Sequence, residues 1–101
     1  MNISIAWAAG IFEGEGSIRK ARNGLKVAMT DLDVLEKFQS IVGVGSIRPY
    51  KLQRSHHKQG YDWACWKAAG VKHVLNLFLP YFGNRRAYHA LNALDTIELA
   101  P

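Results

Sequence analysis

The segment from Ala8 to Ser17 constrains the fold of this chain most, because it carries two carboxylates where a helix is expected to end. It overlaps a run of apolar and small residues from Ile5 to Phe12, which has the length of a short helix. Glu13 and Glu15 then alternate with glycines. The C-terminal end of a helix carries partial negative charge, so carboxylates placed there are destabilising. A divalent cation such as Mg²⁺ would offset this repulsion, since it binds carboxylate and carbonyl oxygens.

The length and charge of the chain limit the classes of protein to which it can belong. With 101 residues, we expect residues 1–101 to form one domain around a single core. The net charge of +5 favours a polyanionic partner such as a nucleic acid. The single cysteine, Cys65, excludes an internal disulfide and a cysteine-based zinc cage. The sequence has neither a run of 18 apolar residues nor a secretory signal, so an intracellular protein without a membrane span is expected.

The periodicity of the apolar residues predicts the element order α-β-β-α-β-β-α-α. An Asn-Gly pair at 23–24 predicts a hairpin turn, and Thr30-Asp31 predicts the start of the second helix. The later segments are predicted as strands at 45–53 and 61–67 and as helices at 71–78 and 84–99. Two hairpins with interspersed helices indicate an α+β fold, in which one four-stranded antiparallel sheet carries its helices on one face.

The opposite face of this predicted sheet is rich in polar and basic side chains. A twisted ribbon of strands can enter the DNA major groove, where such side chains reach bases and phosphates. A plain solvated sheet face is the alternative, and exposed Trp and Tyr among arginines make it the weaker one. The predicted DNA-binding residues of the strands and their loops are Arg19, Asn23, Lys26, Ala28, Arg48, Tyr50, Gln53, Arg54, Lys58, Asp62 and Trp66.

The segment 8–16 resembles the signature motif of the LAGLIDADG homing endonucleases. Ala8 replaces the leading leucine of that motif, and glutamates replace both of its aspartates. Segments 27–31, 35–38, 41–45, 63–65 and 79–86 follow in the order and spacing of the family, so the resemblance spans nearly the whole chain. It implies an αββαββα fold and Mg²⁺-dependent hydrolysis of both strands of a long, near-palindromic DNA duplex.

The resemblance also implies which residues carry out cleavage. Glu15 and the carbonyl group of Gly14 would bind the divalent cation at the scissile phosphate. Arg85, with Arg86 as the alternative, would be the basic residue near the phosphate. Thr30 or Asp31 would be the polar residue that positions the attacking water. For Thr30 and Asp31, helix capping is a sufficient explanation without a catalytic role.

One copy of the motif supplies one acid per chain, whereas cutting both DNA strands requires two. The resemblance therefore implies a homodimer packed through the motif helix, in which Ala9 and Gly10 permit close approach and Glu13 caps the partner helix. Two alternatives remain open from the sequence. The first is a non-cleaving binder of the same fold, either a transcriptional regulator or an intron maturase that binds RNA. The second is a small basic adaptor whose sheet face binds protein.

Overall fold

The computed structural model describes residues 2–19, 24–50 and 59–99, with the side chain of residue 99 left aside. Within them the chain follows the predicted element order. The helices are α1 (Ile3–Glu15), α2 (Leu32–Val42), α3 (Ala68–Phe78) and α4 (Asn84–Leu99). The strands are β1 (Gly16–Arg19), β2 (Gly24–Met29), β3 (Ser46–Tyr50) and β4 (Gly60–Cys65), and a short 3₁₀ turn, Leu79–Tyr81, joins α3 to α4.

The four strands form one antiparallel sheet in the order β1-β2-β4-β3. Val27 lies opposite both Gly16 of β1 and Trp63 of β4, so these positions share one face of the sheet. Alternation along the strands places Leu25 and Cys65 on the same inner face, and their side chains are buried with those of Val27 and Trp63. The predicted α+β fold, with its helices on the inner face, is confirmed.

The core joins this inner face to one phenylalanine from each of the first three helices. Phe38 of α2 meets Trp63 edge-on at a centroid distance of 4.8 Å. Phe78 of α3 lies 5.8 Å from Phe38 and 5.9 Å from Phe12 of α1. The indole Nε1 of Trp63 donates a hydrogen bond to the Val44 carbonyl oxygen at 2.9 Å, which satisfies its buried N–H group. Since all four rings are fully buried, they fix the helices against the sheet.

The boundaries of several elements differ from those predicted. Helix α3 begins at Ala68, three residues before the first apolar position of its predicted stripe. Strand β4 ends at Cys65, so Trp66 lies just beyond the sheet. Asp31 occupies the N-cap position of α2, but its side chain makes no capping hydrogen bond. Asn2 does cap α1, because its Oδ1 atom accepts a hydrogen bond from the Ile5 backbone N–H at 3.0 Å.

No helix in the described ranges is long and apolar enough to cross a membrane.

Candidate functional site

The carboxylate-bearing end of α1 is open to solvent. Glu15 is the last residue of the helix, and both it and Gly14 are exposed. Among the described residues, the Glu15 carboxylate takes part in no hydrogen bond or ion pair, and α1 has no basic residue in its last turn. Its carboxylate oxygens are therefore available to a ligand.

Arg86 of α4 supplies the positive charge that this helix end lacks. Its Nη2 atom donates hydrogen bonds to the carbonyl oxygens of Glu13 and Gly16, each at 3.1 Å. The guanidinium carbon lies 5.3 Å from the centroid of the Phe12 ring. A cation at the C-terminal end of a helix is electrostatically favourable. Arg86 is therefore bound to the end of α1 on both sides of Glu15.

Arg85 differs from its neighbour, although the sequence leaves the two interchangeable. It is exposed in the first turn of α4 and makes no hydrogen bond within the described part of the chain. Because Arg86 anchors that turn to the end of α1, Arg85 lies in a turn that is attached to the helix end carrying Glu15. The Arg85 guanidinium is exposed and therefore available to a ligand.

Glu13 forms a second link between the same two elements. Its Oε2 atom accepts a hydrogen bond from the Gly83 backbone N–H at 3.1 Å, just before α4 begins. This carboxylate is therefore engaged within its own chain. Its role as a cap on a partner helix stays a prediction.

Thr30 and Asp31 lie at the same end of the sheet as Glu15. Val27 of β2 pairs with Gly16, the residue that follows Glu15. Thr30 comes three residues later, which corresponds to about 10 Å of extended chain. Both Thr30 and Asp31 are exposed. The structure thus places both residues at this end of the sheet, and their role in positioning water stays a prediction.

The two small residues predicted at a helix–helix interface lie on different sides of α1. Ala9 is 1% exposed and packs in the core of its own chain. Gly10 is exposed, and a Cβ atom added there would meet no described atom within 4 Å. Gly10 belongs to an outward stripe with Ile3, Trp7 and Gly14, at helical spacing. Ile3 is 82% exposed and both glycines are exposed, whereas Trp7 is half-buried and packs in part against the core.

The outer face of the sheet carries the side chains that were predicted to bind DNA. Register and alternation place on it Ser17, Arg19, Lys26, Ala28, Ser46, Arg48, Tyr50, Asp62 and Ala64. Trp66 follows β4 and is 41% exposed, and its ring covers Gly24. Four of the predicted positions, Asn23, Gln53, Arg54 and Lys58, lie outside the described residues.

Cations outnumber carboxylates on this face. Arg19, Lys26 and Arg48 line a shallow depression that also contains Asp62. Lys26 Nζ lies 3.4 Å from Asp62 Oδ2. The second oxygen, Oδ1, is buried and has no hydrogen-bond partner among the described atoms. Asp62 thus holds Lys26 in place, while Arg19 and Arg48 give the depression its positive charge.

Cys65, the single thiol, lies away from these groups on the inner face. Burial raises the pKa of its thiol. The side chain therefore packs as a small apolar group.

Several solved structures share this fold. No protein-family model and no curated protein matches the sequence. The homing endonuclease I-CvuI, in complex with a DNA target in the presence of Mg, superposes with a TM-score of 0.76 at 22% identity, covering 95% of this chain and 66% of that chain. The group I intron-encoded homing endonuclease I-CeuI, complexed with DNA, gives a TM-score of 0.76 at 16% identity, covering 98% of this chain and 56% of that chain.

A third structure, the LAGLIDADG meganuclease I-CpaMI bound to uncleaved DNA, gives a TM-score of 0.64 at 16% identity and covers 97% of this chain and 37% of that chain. The present chain thus spans just under two thirds of the length of I-CvuI, 66%, and smaller shares of the other two. At such identities the likeness establishes architecture. This chain has the fold of the LAGLIDADG homing endonucleases.

Proposed function

We propose that this chain is a metal-dependent DNA endonuclease of the homing type, which acts as a homodimer on a long, near-palindromic duplex. The observation that carries the proposal is the exposed, unengaged carboxylate of Glu15 beside the cationic first turn of α4. A protein that binds nucleic acid without cleaving it does not require a carboxylate at this position. The shared fold with endonucleases crystallised on DNA supports the same conclusion.

The donor groups at the end of α1 fit a hard divalent cation that is shared with the substrate. The described residues contain no cluster of three or more ligating side chains. One chain offers Glu15 and the Gly14 carbonyl, and Mg²⁺ in nucleotide-processing sites typically uses one or two carboxylates with substrate phosphates and waters. When bound there, the ion supplies Lewis-acid polarisation of the phosphate and acidification of water.

The remaining catalytic tasks fall to exposed side chains around Glu15. The Arg85 guanidinium, held by the Arg86 anchor, faces solvent where a phosphate would approach, and it would stabilise the negative charge that develops during phosphoryl transfer. Thr30 or Asp31, beyond the end of β2, would orient the attacking water. Every one of these groups lies outside the core, so substrate can reach them without unfolding any element.

The outward side of α1 supports a homodimer. On the stripe of Ile3, Trp7, Gly10 and Gly14 two helices could approach closely, because no described residue fills the space at either glycine. Packing two copies through this stripe would bring both Glu15 residues towards the two-fold axis. A two-fold enzyme with identical halves would recognise a near-palindromic site.

The experiment that tests this function begins with selection of the target from a library of palindromic duplexes by their binding to the protein. A plasmid carrying the selected site is then incubated with the protein and Mg²⁺. The proposal predicts one specific double-strand cut, which EDTA prevents. Tight, site-specific binding without a cut in Mg²⁺ or Mn²⁺ would contradict cleavage and favour a non-cleaving regulator or maturase. Absence of salt-sensitive binding to DNA or RNA would favour a protein-binding adaptor.

A further inference from the structure

A second concave surface lies between the edge strand β1 and helix α4. It is separate from the depression on the sheet face, and no carboxylate of a described residue lines it. Its lining consists of polar and basic side chains with a few small or apolar ones, namely Gly16, Ser17, Ile18, Arg85, Arg86, Tyr88, His89, Asn92, Ala93 and Thr96. A cleft of this composition suits an anionic partner.

Four exposed residues of α4 form a continuous line along this cleft: Arg85, His89, Asn92 and Thr96. Their spacing of four, three and four residues confines them to about 60° of the helix circumference. They span twelve residues, and the steps between the first and the last add up to about 16 Å of helix, which equals the axial rise of roughly five base pairs. We call this line the α4 track.

The track begins at the proposed catalytic end and adjoins the proposed DNA face. Its first residue, Arg85, lies beside the end of α1. Ser17, which lines the cleft, also lies opposite Lys26 on the outer face of the sheet. A DNA strand that leaves the neighbourhood of Glu15 can therefore enter the cleft without crossing any of the helices or strands that the structure describes.

The acidic residues of α4 do not oppose this placement. Neither Asp95 nor Glu98 lines the cleft, and Glu98 pairs with Lys72 of α3. The groups that face the cleft are guanidinium, imidazole, amide, hydroxyl and phenol. Such donors typically contact phosphate and sugar oxygens, and these contacts position DNA without reading its sequence.

We propose that the α4 track binds the sugar–phosphate backbone of the DNA strand next to the scissile phosphate. This inference rests on the proposed function, because it takes the same duplex as ligand. The outer sheet face then reads bases, while the track fixes the register of the strand relative to Glu15. Contacts in the track are independent of base sequence.

Charge substitution at Asn92 tests the proposal, with the same substitutions at exposed Asn76 of α3 as the matched control. Asn92→Lys and Asn92→Glu alter the net charge of the protein in the same way as Asn76→Lys and Asn76→Glu. Dissociation constants are measured against salt concentration, on the selected duplex and on an unrelated one. Thermal unfolding of each variant verifies that the fold is retained.

The expected result is opposite changes for the two Asn92 variants. Asn92→Lys should steepen the log–log salt dependence by about one unit, and Asn92→Glu should flatten it by about one unit, on both duplexes alike. The Asn76 variants should change it much less. Equal effects at Asn92 and Asn76, in a protein that binds and cuts DNA, would overturn the α4 track alone. Failure of the unmodified protein to bind DNA would instead overturn the proposed function.

Discussion

The Nη2 atom of Arg86 donates a hydrogen bond to the backbone carbonyl oxygen of Glu13 at 3.1 Å, which joins the first turn of α4 to the last turn of α1. The Glu13 carboxylate forms a second link between the same segments, because it accepts a hydrogen bond from the Gly83 backbone N–H at 3.1 Å. Two residues more than seventy positions apart thus hold one junction. Because Glu15 and Arg85 are neighbours of these anchors in sequence, the junction fixes the two backbone segments that carry the proposed catalytic groups relative to each other.

The two adjacent arginines should therefore differ in what they contribute. Arg86→Ala removes a charged donor from two carbonyl oxygens and should lower the free energy of unfolding by about 1–3 kcal/mol. Arg85→Ala, at an exposed position, should change it by less than about 0.5 kcal/mol while lowering cleavage. Urea denaturation and plasmid cleavage measure the two quantities. Equal losses of stability in both variants would show that Arg86 is not the anchor.

Gly10→Leu should separate dimer formation from folding. A Cβ atom at this position meets none of the described residues within 4 Å, and leucine has a higher helix propensity than glycine, so the monomer should remain folded. The added side chain would keep two α1 helices apart, and sedimentation should show a shift from dimer to monomer.

Ser40→Leu on α2 is the matched control for this variant. Ser40 is exposed and lies in a helix interior, so the substitution adds a similar apolar side chain away from the outward stripe of α1. It should leave the dimer intact. An unmodified protein that sediments as a monomer on its target DNA would refute the two-fold arrangement.

Substitutions on the sheet face should distinguish base contacts from phosphate contacts. If Arg48 pairs with a guanine, Arg48→Ala should cost about 1–3 kcal/mol of binding and relax preference at one symmetric pair of positions. If Lys26 contacts phosphate, Lys26→Ala should weaken binding to all sequences alike. Competition binding against a set of single-base target variants measures both effects.

The ion pair between Lys26 and Asp62 allows a further test of the phosphate contact. Without the ammonium group at 3.4 Å, the Asp62 carboxylate would face the phosphates unpaired. Asp62→Asn should therefore restore part of the affinity lost in Lys26→Ala. Unchanged affinity and specificity in a protein lacking both Arg48 and Lys26 side chains would mean that this face does not meet DNA.

The sequence predicts the architecture better than it predicts the detail of the site. Apolar periodicity locates α4 and the two hairpins, because each of these elements buries one side. It does not determine the phase of α1, which is apolar on nearly all sides, so Ala9 and Gly10 cannot be assigned to core or surface. The choice between Arg85 and Arg86 depends on how α4 docks onto α1, a contact that local patterns do not contain.

The α4 track illustrates the same limit. The helical spacing of Arg85, His89, Asn92 and Thr96 is readable in the sequence, whereas the cleft that they line exists only where β1 approaches α4. From the sequence His89 suggests only an ordinary surface or packing role. The structure gives it a defined position beside the proposed catalytic end.

Glu15→Gln tests the proposed chemistry most directly, since it removes the carboxylate charge and nearly preserves the shape of the side chain. Asp33→Asn, at an exposed acid in the first turn of α2, removes an equal charge elsewhere and serves as the control. Cleavage of the selected target is measured in Mg²⁺, and binding is measured separately in EDTA. If Glu15 takes part in metal-dependent hydrolysis, Glu15→Gln should bind the target nearly as well as the unmodified protein but should not cut it. Asp33→Asn should bind the target and cut it. Cutting by Glu15→Gln at the rate of the unmodified protein would contradict this role of Glu15.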